Sequence, residues 1–590
     1  MQEPTQFYKS QIAEREEELK TVKQRLFVSS MLRLGLFMLA CAGIYFMWGN
    51  VQIIILIALV TIGAFVFLVS KHSNLQYKRD FLQQLIKINE TEIRVQNRDF
   101  HDLPSGEKYK NPNHAFSLDI DLFGRGSFFQ YLNRTALQGG ANKLAQLLTA
   151  NQVDNIPEKQ EAIKELSEKP HWRQSFSTTA SLVKTDMSAE EIVVWLKNYK
   201  PFVPKTMRFI PLIFSLLSLG LFVLSYFGLV TSQLIILWLF VGLGITGAYF
   251  KKVTALSDKS GKAQSTFEQY YKLLLQLENE ELKSPWLKQQ LEKIRPKTGP
   301  KASSVLRDFS RMLSALDQRN NLIVGFIING FFLSDLRNGY RIEKWMKYNS
   351  QNVQDWFDVI AFFDAHNSLG NFAFNHPKFV YPQISQDAQV LNSKQAVHPL
   401  LDPANAVKND FTINEEEFFI VTGANMAGKS TFLRTVSLQI VMGNVGLPVR
   451  ATSANYSPIK LITSMRTTDS LTDDESYFFS ELKRLKYIVD AIKTDRYFII
   501  LDEILKGTNS TDKAIGSRKF INKLVASNST GIIATHDLSL CEAANDLEEV
   551  KNYYFDAQIK DGELFFDYTF KEGICQNMNA SFLLQKMGIV

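Results

Sequence analysis

Two stretches of this chain carry no charged residue, Leu34 to Ser70 and Phe209 to Phe250. Taken as one helix, the first would be ~55 Å long at 1.5 Å per residue, against a bilayer hydrocarbon thickness of ~30 Å. Each run is therefore expected to cross a membrane twice, with breaks at Gly49-Asn50 and near Gly228 to Gln233. A pair of buried helices in a soluble core is the competing reading, and two such runs in one chain weigh against it. Lysine and arginine close to a span stay on the cytoplasmic side. Lys20, Lys23, Arg25 and Arg33 precede the first hairpin, Lys71, Lys78 and Arg79 follow it, Lys205 and Arg208 precede the second, and Lys251-Lys252 close it. Neither tip holds a Lys or Arg. Both tips are thus expected outside and every soluble part in the cytoplasm, as in a multi-pass protein of the cytoplasmic (inner) membrane. The small residues Ala40-Cys41-Ala42 mimic a signal-peptidase site, but the stretch before them is long and rich in glutamate, which a signal peptide is not.

A second constraint lies nearer the C-terminus. Residues Thr422 to Thr431 read TGANMAGKST, the G-x-x-x-x-G-K-[ST] phosphate-loop pattern, between the apolar run Phe418-Phe419-Ile420-Val421 and a helix-like stretch from Phe432. Gly423 and Gly428 permit a tight turn whose amides face a phosphate, Lys429 reaches the outer phosphates, and the Ser430 hydroxyl is a ligand for Mg²⁺. Gly423, Ala424, Asn425, Met426, Ala427, Gly428, Lys429, Ser430 and Thr431 are the candidate nucleotide contacts. A buried-strand run, Tyr497 to Leu501, ends in Asp502-Glu503; its continuous apolar character fits a parallel strand covered on both faces. Asp502 is assigned to Mg²⁺ through water. Glu503 is assigned to orienting or deprotonating the attacking water, and the pair marks hydrolysis rather than storage of a nucleotide. A third strand, Gly531 to Thr535, delivers His536 to the same edge, where it is a candidate sensor of the γ-phosphate. A lone histidine is more often structural; two phosphate-binding motifs beside this one favour the functional reading.

These motifs resemble the ATPase region of the DNA mismatch repair MutS family, whose phosphate loop typically reads TGPNMGGKST. Between the two motifs that family carries a Ser-Thr-Phe element followed by Glu-Met, matched here by Ser476-Tyr477-Phe478 and Glu481-Leu482. Its DEIGRGT is matched by DEILKGTN from Asp502 to Asn509, with Leu505 and Lys506 departing from Gly-Arg. The resemblance continues upstream through Gly126-Ser127-Phe128, Leu132 to Thr135, Gly139-Gly140, Lys159 to Ala162, Trp356 to Ile384, His398-Pro399 and Asn409-Asp410. It covers roughly Phe116 to Arg208 and Trp356 to Val590. It implies an ABC-like α/β phosphate-loop domain with a doubly wound sheet, hydrolysing ATP with Mg²⁺. It also implies a homodimer in which Ser476 reaches the γ-phosphate of the partner's site, and DNA as a candidate ligand. The aromatic residue that the family places three positions before Asn409, available to stack on adenine, is Ala406 here. The family's mismatch-reading domain with its Phe-x-Glu wedge, its DNA clamp and its C-terminal helix-turn-helix are not recognisable, and membrane helices stand where the first would be.

The expected architecture is an α/β ATPase domain with an all-α helical core and two transmembrane helical hairpins. Its divisions are a charged N-terminal helix (1–30), the first hairpin (31–70), a cytoplasmic helical region (71–208), the second hairpin (209–250), a helical core or lever (251–405) and the ATPase domain (406–590). On Gln6 to Arg25 the residues Ile12, Leu19, Val22 and Leu26 form a narrow apolar stripe; being shorter than three heptads, it is read as a solvated helix leading into the membrane rather than a paired one. The 45% hydrophobic content of 590 residues suffices for several cores plus four spans. The net charge of +6 is accounted for by lysines and arginines beside the spans, which suit anionic headgroups. Three cysteines without C-x-x-C spacing indicate a reducing compartment, and eight histidines show no metal-ligand spacing. Three function classes fit: a DNA-processing ATPase held at a membrane, an ATP-driven mechanoenzyme acting on a membrane or protein partner without mismatch recognition, and an ABC-type transporter. The last is disfavoured by the lack of an LSGGQ-like signature and by having only four spans.

Overall fold

The computed structural model describes residues 3–576 except 183–185, 296–298, 386–387, 425, 467–476, 507 and 561–562. Its first part is a hairpin of two continuous rods, α1 (Pro4–Phe46) and α2 (Val51–Gln96), of 43 and 46 residues. The turn falls at the expected place: Gly49 takes φ +104°, and the Asn50 side chain accepts the Ile53 N–H as the N-cap of α2. Towards the turn both helices expose their apolar side chains; at the other end they pair. Leu19, Val22 and Leu26 interlock with Leu82 and Ile86, with Ile12 and Leu75 at the margin. The N-terminal stripe is therefore a helix–helix seam, which corrects the solvated reading. The three-heptad minimum describes separate helices; here the turn at 47–50 tethers the partner and removes most of the association cost.

The open end of this hairpin is tied to the rest by a buried polar cluster. The Tyr8 hydroxyl donates to Asn375 Oδ1 at 2.7 Å, and the Glu92 carboxylate receives Arg134 Nε and Asn375 Nδ2, each at 2.7 Å. Beyond α2 come α3 (Phe128–Leu132), α4 (Gln138–Thr149), α5 (Ile156–Ser167), α6 (Pro170–Ser181) and α7 (Ala189–Asn198), the last opened by a Ser188–Glu191 capping box. The second uncharged run forms α8 (Ile210–Tyr226) and α9 (Ser232–Gly247), broken where expected. Their 17 and 16 residues are fewer than the ~20 of a full crossing. α9 then bends by 68° into α10 (Phe250–Asn279). Among the described residues α1 and α2 are long and apolar enough to cross a membrane, and the bent pair would make a third.

Next follow α11 (Pro285–Glu292), α12 (Ala302–Asp317), the short apolar α13 (Leu322–Phe332) and α14 (Ser334–Asn375). α14 is the spine of the helical part. Its 42 residues, ~63 Å of helix, pack against α4, α5, α6, α7, α10 and α12. Phe309 stacks on Trp345 at 3.7 Å between ring centres, and Phe267 meets both rings edge-on. The Gly139-Gly140 pair has a direct cause: a Cβ at Gly140 would lie 2.0 Å from Asp364 Oδ2, and that buried carboxylate accepts the Ala136 and Leu137 N–H groups at the start of α4.

The α/β part runs β1 (Gln383–Ile384), β2 (Gln389–Ala396), β3 (Asn409–Asn414), β4 (Phe418–Gly423), α15 (Lys429–Val445), β5 (Ser453–Tyr456), β6 (Lys460–Ser464), α16 (Tyr477–Ala491), β7 (Tyr497–Asp502), α17 (Ser510–Val525), β8 (Thr530–Ala534), α18 (Ala543–Asp546), β9 (Val550–Lys560) and β10 (Glu563–Glu572). A six-stranded sheet has the order β10-β9-β4-β8-β7-β6, parallel except for β10. Alternate residues serve opposite layers, which is why these strands are apolar throughout. Phe419, Val421 and Ile500 face the core that includes Leu433 and Val436 of α15; Phe418, Ile420 and Ile499 face Ile488 of α16 and Ile521 of α17. A second sheet, β1-β5-β2-β3, was not foreseen from the sequence. The helical core meets the far end of α15, where Gly446 (φ +89°) sits against Lys159 and the Lys159 ammonium donates to Asn444 O at 3.2 Å.

Candidate active site

The loop after β4 is shaped by its two glycines. Gly423 adopts φ +146°, and a Cβ there would lie 2.6 Å from Phe555 O; Gly428 adopts φ +111° as the N-cap of α15. The free amides of a helix N-terminus and its dipole make such a place an anion site. Lys429 lies in it with Nζ donating to Gly423 O (2.6 Å) and Ala424 O (3.0 Å). Burial lowers its pKa, while Asp502 and Glu503 pull the other way. The Ser430 hydroxyl donates to Asp502 Oδ2 at 3.1 Å. Burial is also the main cause that raises the Asp502 carboxyl. A hydroxyl beside a carboxylate at a phosphate loop is a donor set suited to Mg²⁺, a hard cation that takes oxygen ligands.

Strand order explains how the third residue arrives. β8 lies between β4 and β7, in register Val421↔Ala534 and Asp502↔Ala534, so the chain leaving β8 emerges between the two motifs. His536 Nε2 is 3.0 Å from Glu503 Oε1 and 3.3 Å from Lys429 Nζ. With that nitrogen donating to Glu503, the lysine approach is a contact rather than a second hydrogen bond. The His536 bond is the leading cause that holds the Glu503 carboxyl at about 2, with Lys506 (Nζ to Oε2 3.6 Å) adding to it.

The turn after β7 is strained and braced. Glu503 and Leu505 take φ +53° and +59°, a region that non-glycine residues rarely occupy. The buried Glu481 carboxylate accepts the N–H groups of both Leu505 and Lys506, the latter at 3.0 Å. The Leu505 side chain is itself buried, and Gly516 of α17 leaves it room, since a Cβ there would meet Leu505 Cδ1 at 2.6 Å. The departure at Leu505 is thus accommodated by packing.

Lys429, Ser430, Asp502, Glu503 and His536 line one cleft of ≈ 460 Å³, together with His398, Leu401, Ala406, Phe411 and Tyr568. Gly428, Lys429, Ser430, Thr431, Asp502, Glu503 and His536, expected from the sequence, are brought together there, with Ala424 and Met426. Ala427 is buried beneath the loop. Asn425 and Ser476 lie outside the described residues. Ala406 brings no ring to the cleft; Tyr568 does. It sits at an irregularity of the β9–β10 pairing with φ +52°, over Gly428, and Asn409 fixes it by donating to Tyr568 O (3.1 Å) and accepting the Phe570 N–H (2.7 Å). Burial depresses His398 to about 4, which leaves it neutral.

Residues 419–585 match the family described as MutS domain V. The chain thus carries a MutS domain V. It is 30% identical over 217 residues to the DNA mismatch repair protein MutS of Methanococcoides burtonii, a stretch that is 35% of this chain and 24% of that protein. Identity to the MutS of Aquifex pyrophilus is 32% over 204 residues (33% and 23%), and to MutS protein homolog 4 of Homo sapiens 29% over 234 residues (38% and 24%). The match thus spans about a quarter of the length of these MutS relatives. Domain V is the ATPase-containing C-terminal region, and MutS-family members are ATPases that use ATP with Mg²⁺.

Proposed function

We propose that this MutS-family chain is an ATPase anchored in the cytoplasmic membrane, which hydrolyses ATP in the cytoplasm to drive a conformational change of a homodimer. The observation that carries this reading is the convergence of Lys429, Ser430, Asp502, Glu503 and His536 on one cleft. The loop amides and Lys429 bind the phosphates of ATP on an ABC-like domain. Ser430 and Asp502 would hold Mg²⁺, which would supply charge neutralisation at those phosphates. Glu503 orients the attacking water. A carboxyl near 2 is a poor proton acceptor at neutral pH, so orientation is favoured over outright deprotonation. His536 holds Glu503 in place and is the γ-phosphate sensor.

Hydrolysis in trans is part of the proposal, with Ser476 acting in the partner's site. Neither Ser476→Ala nor Lys429→Ala subunits hydrolyse ATP alone, whereas their mixture regains part of the activity because one composite site of the heterodimer is intact. No recovery in verified mixed dimers would place a complete site within one chain.

The membrane arrangement rests on the two uncharged runs and on the apolar exposure of α1 and α2. Cysteines placed at Asn50 and Ser232 react with a membrane-impermeant thiol reagent from outside intact cells. Labelling at Gly106 under the same conditions contradicts the orientation.

DNA is a candidate ligand, and the mechanoenzyme acting on a membrane or protein partner is the second reading. One observation favours the second: α14 runs from the apolar α13 to the helices that abut α15, linking the nucleotide domain to the apolar elements. A mismatch reader inserts a wedge between base steps, and no such wedge is recognisable among the described residues. Any DNA binding is expected to be charge-driven, steeply salt-dependent and equal for matched and mismatched duplexes. Discrimination of a single mismatch beyond about tenfold, ~1.4 kcal/mol, restores the mismatch-sensor reading.

A further inference from the structure

The most apolar surface outside the two expected hairpins belongs to α13. No charged residue lies between Arg319 and Asp335, and the helix between them exposes its side chains: Ile323 is 74% and Ile327 47% accessible, with Phe326 alongside. Eleven residues make a helix of ~16 Å. An apolar helix of that length is normally a core helix or a segment that enters a bilayer without crossing it. Its exposure excludes the first.

Its packing says where it lies. α13 sits on α8 and α9 at close range. A Cβ at Gly242 would be 2.1 Å from Gly330 O, and Ser218 Oγ, which accepts from Trp238 Nε1, donates to Phe331 O at 2.7 Å. Ser218 is ~15 Å of helical rise from Arg208, and Gly242 stands within α9, ahead of the 68° bend that leads to Lys251. Arg319 before the helix and Asp335 after it pair at 3.1 Å, and Arg319 lies over the Phe250 ring, beside Lys251. Both flanks of α13 thus return to the charged end of the second hairpin, while Gly330 and Phe331 reach the middle of α9 and α8, short of a full ~30 Å crossing.

We propose that α13 is a third apolar element of the second membrane unit, inserted into the cytoplasm-side half of the bilayer with lipid acyl chains against Ile323, Phe326 and Ile327. The inference rests on the membrane reading above and goes beyond its two hairpins. It has a mechanical consequence: Leu333 (φ +49°) joins α13 to α14 without a linker, so the spine that reaches the nucleotide domain begins at the foot of a lipid-inserted helix. The continuous apolar surface shared with α8 and α9 favours lipid over a second copy of the chain as the occupant.

The test uses the full chain carrying Cys41→Ala, Cys541→Ala and Cys575→Ala, with single cysteines at Ile323, Ile327, Leu59 and Tyr348 bearing an environment-sensitive fluorophore. The protein is reconstituted in phosphatidylcholine–phosphatidylglycerol vesicles whose acyl chains are brominated either near the headgroup or near the methyl end. The expected result is quenching at Ile323 and Ile327 that is stronger from the shallow bromines, quenching at Leu59 from the deep ones, and none at Tyr348. Quenching at Leu59 with solvent-like, unquenched emission at Ile323 and Ile327 overturns the inference while leaving the first hairpin in place. Blue-shifted but unquenched emission at those two positions overturns it in favour of a second copy. Absence of quenching at Leu59 as well removes the membrane reading and this inference with it.

Discussion

Replacing Glu503 by alanine lowers ATP turnover by ~10²-fold or more, the scale of losing a group that positions a reactant, while ATP remains bound. The separation follows from geometry. Glu503 stands beyond the metal-side carboxylate Asp502 and is held by His536 at 3.0 Å, so its loss leaves the phosphate-binding amides and Lys429 untouched. Lys429→Ala fails one step earlier. That ammonium is the cation lying within the phosphate loop itself, against the Gly423 and Ala424 carbonyls, and without it nucleotide binding weakens. Equilibrium binding and single-turnover hydrolysis on both variants distinguish the two. Unchanged turnover in Glu503→Ala would falsify its assignment to the attacking water and shift that role to His536.

Local patterns told more of this molecule than distant ones. The phosphate loop, Asp502 and Glu503 were legible because each is encoded within a few residues: glycines where φ must be positive, apolar residues where a strand is covered on both faces, polar groups at the strand end. The hairpin breaks were legible for the same reason, as Gly49 and Asn50 interrupt an uncharged run with a positive φ and a helix cap. Tyr568 was not legible, because its place over Gly428 depends on the irregular register of β9 against β10, far along the chain. The pairing of Leu19, Val22 and Leu26 with Leu82 and Ile86 depends on a turn that reverses the chain, so a stripe judged by length alone was misread. α13 went unnoticed because a largely apolar stretch of eleven residues falls below any spanning threshold; what reveals it is exposure beside α8 and α9.

Glu481 was visible in the sequence only as part of a resemblance, and the structure gives it a position with large consequences. Its side chain, 3% exposed, accepts the N–H groups of Leu505 and Lys506 and so fixes the turn in which Glu503 and Leu505 take left-handed φ. Hydrogen bonds to a charged acceptor contribute ~1.5–3 kcal/mol each, and tenfold in rate corresponds to ~1.4 kcal/mol. Glu481→Ala is therefore expected to lower kcat about tenfold or more with KM little changed, because the turn bearing Glu503 relaxes while the phosphate loop does not depend on it. Glu481→Gln restores part of the rate, since its amide oxygen keeps one acceptor for the two donors. The measurement is the kcat and KM of both variants alongside their thermal unfolding. Equal losses for Ala and Gln that track the fraction of folded protein would make Glu481 a structural residue, with no separate hold on the position of Glu503.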